Sequence, residues 1–428
     1  MSRNIKASTL GHIYRLLLLV SFTALISVLV SQDYIFLIFG ATLFLLLLVA
    51  SRFEKITFNG QVLKRSGLFA FCESLLTRQK QALQIEQIEM VTTEAIRSRL
   101  GRKKFKYVYK VTATGEGTHI PIMVSSGKPS TSSELVKNLF SLLDENKLDP
   151  RSGELRDYLH QLDQKERQDE VIEFVINTEL NESSAEIYKK LPSKLLREIA
   201  NRLKLEGFMH QAFHCFSFAY KREPGNAQLL YEMARFFRSL GSISHPRLLS
   251  RSGACLRLAA FLAKDEPRLL ERIGETHFEQ FEYKKAANCF SKALSIDPTL
   301  YRANIGLAEI ALRDGKLAHV AHFYQAAATV SSDKAQKNLA LREADYYNRL
   351  CSDEDYFEAE ISRITKLQNF QWVKNSSSLL LVVFWLLATL SGWFSQELKS
   401  LAWSAVLSTS VVWIGSIFLS SRYSHRNS

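Results

Sequence analysis

The strongest constraint on this chain is a spacing. Between residues 267 and 332, matching residues recur 34 positions apart: Ile273 with Leu307, Gly274 with Ala308, Tyr283 with Leu317, Ala286 with Val320, Phe290 with Tyr324, Ala293 with Ala327 and Ile296 with Val330. A unit of this length is one helix–turn–helix that cannot bury its apolar face alone, so it must stack on its neighbours. The small residues at Gly274, Ala308, Ala286, Ala293 and Ala327 let helices approach closely, and Phe290 and Tyr324 fill the space that remains. These positions are structural.

The same register extends upstream. Pro298 closes the unit 267–300, and Pro224 closes an earlier one beginning at Ser193, with Ile199, Ala200, Leu203, Ala212, Phe216 and Ala219 in place. Between them, Met233, Ala234, Phe237 and Gly241 keep register. About six extra residues around 242–247 then precede Leu256 and Ala259. Four units over 193–334 exceed the three needed for a continuous core. Helices at 155–176 and 181–191 are expected to lead in, and helices at 335–350 and 353–367 to lead out and cap the stack. Period, small residues and closing prolines together resemble the tetratricopeptide repeat (TPR) family. The resemblance implies an all-α superhelix that grips other polypeptides and has no chemistry of its own.

The resemblance also implies where a partner binds. Positions two, five, six and nine of each repeat face the concave groove, which here places Arg197, Asn201, Glu232, Arg268 and Arg272 there. In TPR domains that hold a C-terminal carboxylate, similar positions carry basic residues and asparagines. Arg197, Asn201, Arg268 and Arg272 are similar to four of the five members, while Glu232 stands where an asparagine is usual and would repel a carboxylate. The competing reading is a set of ordinary surface arginines.

Apolar residues concentrate at both ends. Runs at about 14–30 and 34–50, then 378–394 and 401–420, read as two transmembrane hairpins, each span near the length that crosses a bilayer. A cleavable signal peptide is the rival for the first run, but a second apolar run follows at once and no small-x-small site intervenes. All five tryptophans (Trp372, Trp385, Trp393, Trp403 and Trp413) lie in or beside the C-terminal hairpin, as interfacial residues do. Arg3, Lys6, Arg15, Arg52, Lys55, Lys366, Lys374, Arg422 and Arg426 flank the spans, whereas the two short loops hold only Asp33, Glu397 and Lys399. The positive-inside rule then puts both termini and the soluble part in the cytoplasm, with a bacterial inner membrane as the expected location. No charge sits mid-span, which argues against an ion pathway.

From Lys55 the pattern turns to period two. Ile56 and Phe58, then Asn59-Gly60, then Val62, Lys64 and Arg65 predict a hairpin around an Asn-Gly turn. Residues 83–90 read as a further strand. Phe105, Tyr107, Tyr109 and Val111 alternate with a largely basic face, residues 119–124 return as a strand, and residues 131–146 read as a helix. A membrane hairpin followed by Ile56-Thr57-Phe58, Leu63-Lys64-Arg65-Ser66-Gly67-Leu68-Phe69, Ile85-Glu86-Gln87-Ile88 and Arg99-Leu100-Gly101 resembles the bacterial pleckstrin-homology-like (PH-like) domains of small membrane proteins. That family usually has a proline just before the Ile85 landmark, where this chain has Gln84. The resemblance implies a curled antiparallel sheet capped by one helix and carries no catalytic residues. Arg97, Arg99, Arg102, Lys103, Lys104, Lys106 and Lys110 are candidates for contact with anionic lipid, each adding about 1 kcal/mol near a charged surface. Charges protecting a sheet edge are the alternative.

Chemistry-bearing motifs are otherwise absent. His210 and His214, like His319 and His322, lack a third metal ligand nearby in sequence. Gly115-x-Gly117 lacks a third glycine and a following helix, and neither a Walker motif nor a Gly-x-Ser-x-Gly elbow occurs. Five scattered cysteines suit a reducing compartment, with Cys215 and Cys289 expected to pack between helices. A net charge of +12 favours acidic partners, and no nucleic-acid-binding motif accompanies it.

The sequence thus reads as a multidomain membrane protein: a transmembrane hairpin (1–53), a small antiparallel β PH-like domain (54–148), a helical linker (149–192), an all-α TPR superhelix (193–334), capping helices (335–374) and a second transmembrane hairpin (375–428). The expected function is a cytoplasmic scaffold or adaptor, with no catalysis, cofactor or metal. Its groove would hold a protein or peptide, and its PH-like domain would touch anionic lipid or the same partner. The alternative is a regulatory or structural subunit of a membrane transport or lipid-handling complex.

Overall fold

The computed structural model describes residues 5–8, 54–77, 80–99, 105–125, 130–161, 188–241, 245–391 and 396–424. Two compact units result, one from Met1–Gln84 with Ser352–Ser428 and the other from Ile85–Cys351.

In the first unit, β1 (Ile5–Ser8), β2 (Lys55–Phe58), β3 (Val62–Ser66) and β4 (Ala82–Gln84) form an antiparallel sheet in that order, with α1 (Leu68–Thr77) between β3 and β4. The expected Asn-Gly hairpin joins β2 to β3, and the Asn59 carboxamide oxygen accepts from the backbone N–H groups of Gln61 and Val62 at 3.1 and 2.7 Å. Ile56, Phe58, Leu63 and Leu83 are buried, as period two requires. Strand β1 and helix α1 were not foreseen, and the strand expected at 83–90 is divided. Only Ala82–Gln84 pairs with β3, and Ile85–Gln87 turns as a 3₁₀ helix before a new strand starts at Met90.

The second unit opens on a meander of β5 (Met90–Arg99), β6 (Phe105–Gly115) and β7 (Thr118–Ser125). The aromatic face of β6 is turned inward: Tyr107, Tyr109 and Val111 are buried with Ile120, Ile122 and Val124 of β7. Helix α2 (Thr131–Ser141) lies against β7 and buries Leu135, Val136, Leu139 and Phe140, and the Ser130 and Ser133 side chains cap its start reciprocally. It stops five residues short of the expected end, at a bend that leads into a 3₁₀ turn at Glu145–Lys147. The strands thus form two sheets in different units where one curled sheet was expected.

Helix α3 (Pro150–Gln161) follows, opened by Asp149, whose carboxylate accepts from the Ser152 N–H at 2.8 Å. It begins five residues before the expected lead-in helix, whose remainder lies outside the described residues. Four helix pairs come next: α4 (Ser193–Glu206) with α5 (Met209–Arg222), α6 (Ala227–Leu240) with α7 (Pro246–Leu262), α8 (Pro267–Glu279) with α9 (Tyr283–Ile296), and α10 (Tyr301–Arg313) with α11 (Leu317–Val330). The expected register holds in every pair. Helix α4 ends in a Schellman turn with Gly207 at φ 91°, and the Phe208 N–H donates to the Leu203 carbonyl at 2.8 Å. The extra residues of the second pair fall partly in the helix: α7 has 17 residues where α5, α9 and α11 have 14.

Phe290 sits between two neighbouring first helices, which pass it only because they present Gly274 and Gly306 to its ring. Cys215 and Cys289 pack in the apolar clusters between helices, and burial lifts their thiols to about 12 and about 11. Helix α12 (Lys334–Ser352) closes the stack, with Tyr347 stacked on Tyr324 at 6.0 Å between ring centroids.

Back in the first unit, α13 (Glu354–Ser391) fuses the expected last capping helix and third span into one 38-residue helix, and α14 (Gln396–Ser424) contains the fourth. They pack antiparallel. Phe370 stacks on Tyr423 at 5.5 Å, Arg363 donates to the Tyr423 carbonyl, and Lys366 lies 6.0 Å from the Tyr423 ring. Both are long and apolar enough to cross a membrane. The spans expected at 14–30 and 34–50 lie outside the described residues.

Candidate functional site

The first helices of the four repeats carry Arg197 and Asn201 (α4), Glu232 (α6), and Arg268 and Arg272 (α8), and all five line one cavity of about 260 Å³. Arg302 of α10 lies on the same wall. The TPR resemblance assigns these five residues to one groove-facing side.

The opposite wall was not foreseen. It is the chain's own segment from Glu145 through α3, which contacts α4 and α8. Glu154 of α3 meets Lys204 at 3.0 Å and pairs with Arg235. Burial pushes its carboxyl up, but Arg235 and Lys204 outweigh that and hold it at about 2. Arg302 donates to the Leu148 carbonyl and pairs with Glu275 at 2.5 Å. Lys147 is buried and meets Asp333 at 2.7 Å. The Gln336 carboxamide donates to the Asn146 carbonyl at 3.1 Å, and the Tyr109 hydroxyl to the Leu205 carbonyl at 2.8 Å. The sheet is tied to the same place, since the Thr93 N–H donates to Asp149 at 3.2 Å and the Thr93 and Ser152 hydroxyls lie 2.7 Å apart. Only the Asp149-Pro150-x-Ser152 helix start was visible in the sequence as a pointer to this wall.

Two internal carboxylates pair with the residues that the TPR resemblance likens to a carboxylate clamp. Glu232 meets Arg197 at 3.4 Å and accepts from the amides of Asn201 and Gln228 at 2.7 and 2.8 Å. Burial raises its carboxyl above the usual range while Arg197 opposes the rise. The repulsion expected of Glu232 is thus absorbed by its own neighbours. Glu145 pairs with Arg272 and lies 3.8 Å from Arg268. Its side chain is 41 % exposed and that of Arg268 78 %, so this half of the site is open to solvent. Deeper in the cavity, burial and the nearby Glu275 lift Glu271 to about 7, and its carboxyl accepts from the Ala303 N–H at 2.8 Å.

The basic candidates on the sheet are only partly brought together. Arg97 and Arg99 lie on β5 and Lys106 on β6, where Arg97 pairs in register with Tyr107 and Ser98 with Lys106. Lys110 meets Glu94 at 3.2 Å, and Arg102, Lys103 and Lys104 lie outside the described residues. The His210 and His214 rings touch, with 3.4 Å between their Nε2 atoms, and no group of three metal-ligating side chains forms among the described residues.

The family model for the tetratricopeptide repeat matches residues 267–300, the third helix pair. No curated protein matches the chain significantly. Among solved structures, the crystal structure of MamA protein is similar at 13 % identity over 38 % of this chain and 95 % of that one, with a TM-score of 0.28. The chain carries TPR repeats, and repeats of this kind serve protein interaction.

Proposed function

We propose that this protein is a membrane-anchored cytoplasmic scaffold that docks a protein partner in the groove of its repeats. The observation that carries the reading is the convergence of Arg197, Asn201, Glu232, Arg268 and Arg272 on one solvent-open cavity. The exposed Arg268 beside Arg272 favours an acidic group at that end of the cavity, which enters by replacing Glu145.

Anchoring is supported from both ends of the chain. The basic residues Arg363, Lys366 and Arg422 gather where α13 begins and α14 ends, as the positive-inside rule requires of a cytoplasmic end. Ser8 and Lys55 are register partners, so β1 ends where β2 begins, which is what a membrane hairpin at 14–30 and 34–50 needs. A bacterial inner membrane with both termini cytoplasmic remains the favoured location. Of the PH-like reading only the β5–β7 meander followed by α2 finds support, because β1–β4 form a separate sheet; in that reading Arg97, Arg99, Lys106 and Lys110 would contact anionic lipid or the same partner.

The test is gentle purification of the full-length protein from its native membrane beside Arg268→Glu. Position 268 is exposed, so the variant keeps its fold and membrane insertion. A stoichiometric protein retained by the native chain and lost from the variant is expected. Equal retention by both would place the partner outside the groove.

A further inference from the structure

The short helix α1 has an apolar face that stands exposed among the described residues. Phe71 and Leu75, one turn apart and therefore on the same side, are 64 % and 68 % exposed. The other side of the helix is fixed. Ala70 is buried, and its N–H donates to the buried Glu54 carboxylate at 3.3 Å, an N-terminal cap supplied from another segment. Glu73 pairs with Arg65 at 2.6 Å. Gly67 turns the chain from β3 into α1 at φ 144°, and a Cβ there would collide with the Glu54 carboxyl. The helix is thus held at Ala70 and Glu73 with two large apolar side chains turned outward, an arrangement a water-exposed helix gains nothing from.

Sheet register says what lies there. Ser8 pairs with Lys55 and Lys55 with Ser66, so these three residues form one row across β1, β2 and β3. At that row β1 departs toward the first expected span, β2 arrives from the second, and β3 departs into α1. On the membrane-anchored reading, the edge that launches α1 is therefore the one that adjoins the bilayer. Helix α1 also packs against α14, the last of the apolar helices. It therefore lies beside one of the two helices long and apolar enough to cross a membrane.

We infer that α1 lies in the headgroup plane of the bilayer, with Phe71 and Leu75 reaching the acyl boundary. The inference rests on the membrane-anchored reading above. A helix of this kind orients what it carries: α1 fixes the β1–β4 sheet at the bilayer surface, as interfacial helices do when an apolar stripe enters the headgroup–acyl boundary. Lys55, on the same row, places an ammonium at phosphate level.

The test uses the full-length protein in its native membrane with p-benzoylphenylalanine placed singly at positions 71, 75 and 383. The last lies on α13, where Val383 is 43 % exposed. On irradiation the benzophenone inserts into a neighbouring C–H bond, and mass spectrometry identifies what was captured. Phospholipid adducts at 71 and 75, at yields within about threefold of position 383, are expected. Lipid capture at 383 with none at 71 and 75, or protein capture at 71, would overturn the placement of α1 and leave the anchoring intact. No lipid capture at 383 would overturn the anchoring and this inference with it.

Discussion

Replacing Glu154 by glutamine tests how the sheet and the repeats are joined. Glu154 is paired with both Lys204 of α4 and Arg235 of α6, and the exchange leaves a neutral amide between these two cations. Its pKa is held at about 2, against 4.5 for a free glutamate. At 1.36 kcal/mol per unit this corresponds to about 3 kcal/mol of stability, at the low end of what breaking one partner of a buried pair costs. The sign follows from the depressed value. The contribution is fully present above pH 4.5 and is lost as pH falls toward 2. The assay is hydrogen exchange of the α3 amides in the full-length protein at neutral pH. Glu154→Gln should speed their exchange about a hundredfold while amides of α10 and α11 change little. A change below about threefold would refute the claim that this triad pins α3 into the groove.

Glu271 titrates in the opposite sense. Burial raises it to about 7, so the folded protein keeps a proton that the unfolded chain releases near pH 4.5, and stability falls as pH rises between these values. Glu271→Gln keeps the acceptor for the Ala303 N–H and should stabilise by up to about 3 kcal/mol at pH 8 and by little at pH 4.5; thermal unfolding with a gain that does not grow with pH would contradict this. Gly306→Ala would bring a methyl group to 2.5 Å from the Phe290 ring and should cost about 1–3 kcal/mol by circular dichroism melting. Phe290→Leu in that background should recover part of the loss, and an unchanged melt of the single variant would remove the close-packing argument.

The repeats were legible because their physics is periodic. One 34-residue spacing fixes which residues are small and which are apolar, and the five residues that the TPR resemblance assigned to the groove line one cavity. Gly306 escaped notice because its period partner is Arg272: the glycine answers a local demand of the Phe290 ring, not the repeat. Helix α3 lay outside the repeat and its docking is long-range, with Glu154 finding Arg235 across 81 positions, and no local pattern encodes such a pairing. Short elements failed for a different reason. The four residues of β1 and three of β4 are too few to display a period, and they exist because β2 and β3 offer them edges. The division at Ile85 was hidden because apolar Leu83, Ile85, Ile88 and Met90 are interspersed with polar residues over too short a stretch to separate a strand from a 3₁₀ turn.

The central claim is that a protein enters the groove, and crosslinking from inside it tests this most directly. With p-benzoylphenylalanine at position 198, which lines the cavity, or at the exposed position 292 of α9, the full-length protein is irradiated in native membranes. A single protein adduct at 198, absent at 292 and lost when Arg268→Glu is added, is the expected result. Adducts at 292 with none at 198 would contradict the account and move the partner to the outer face of the repeats.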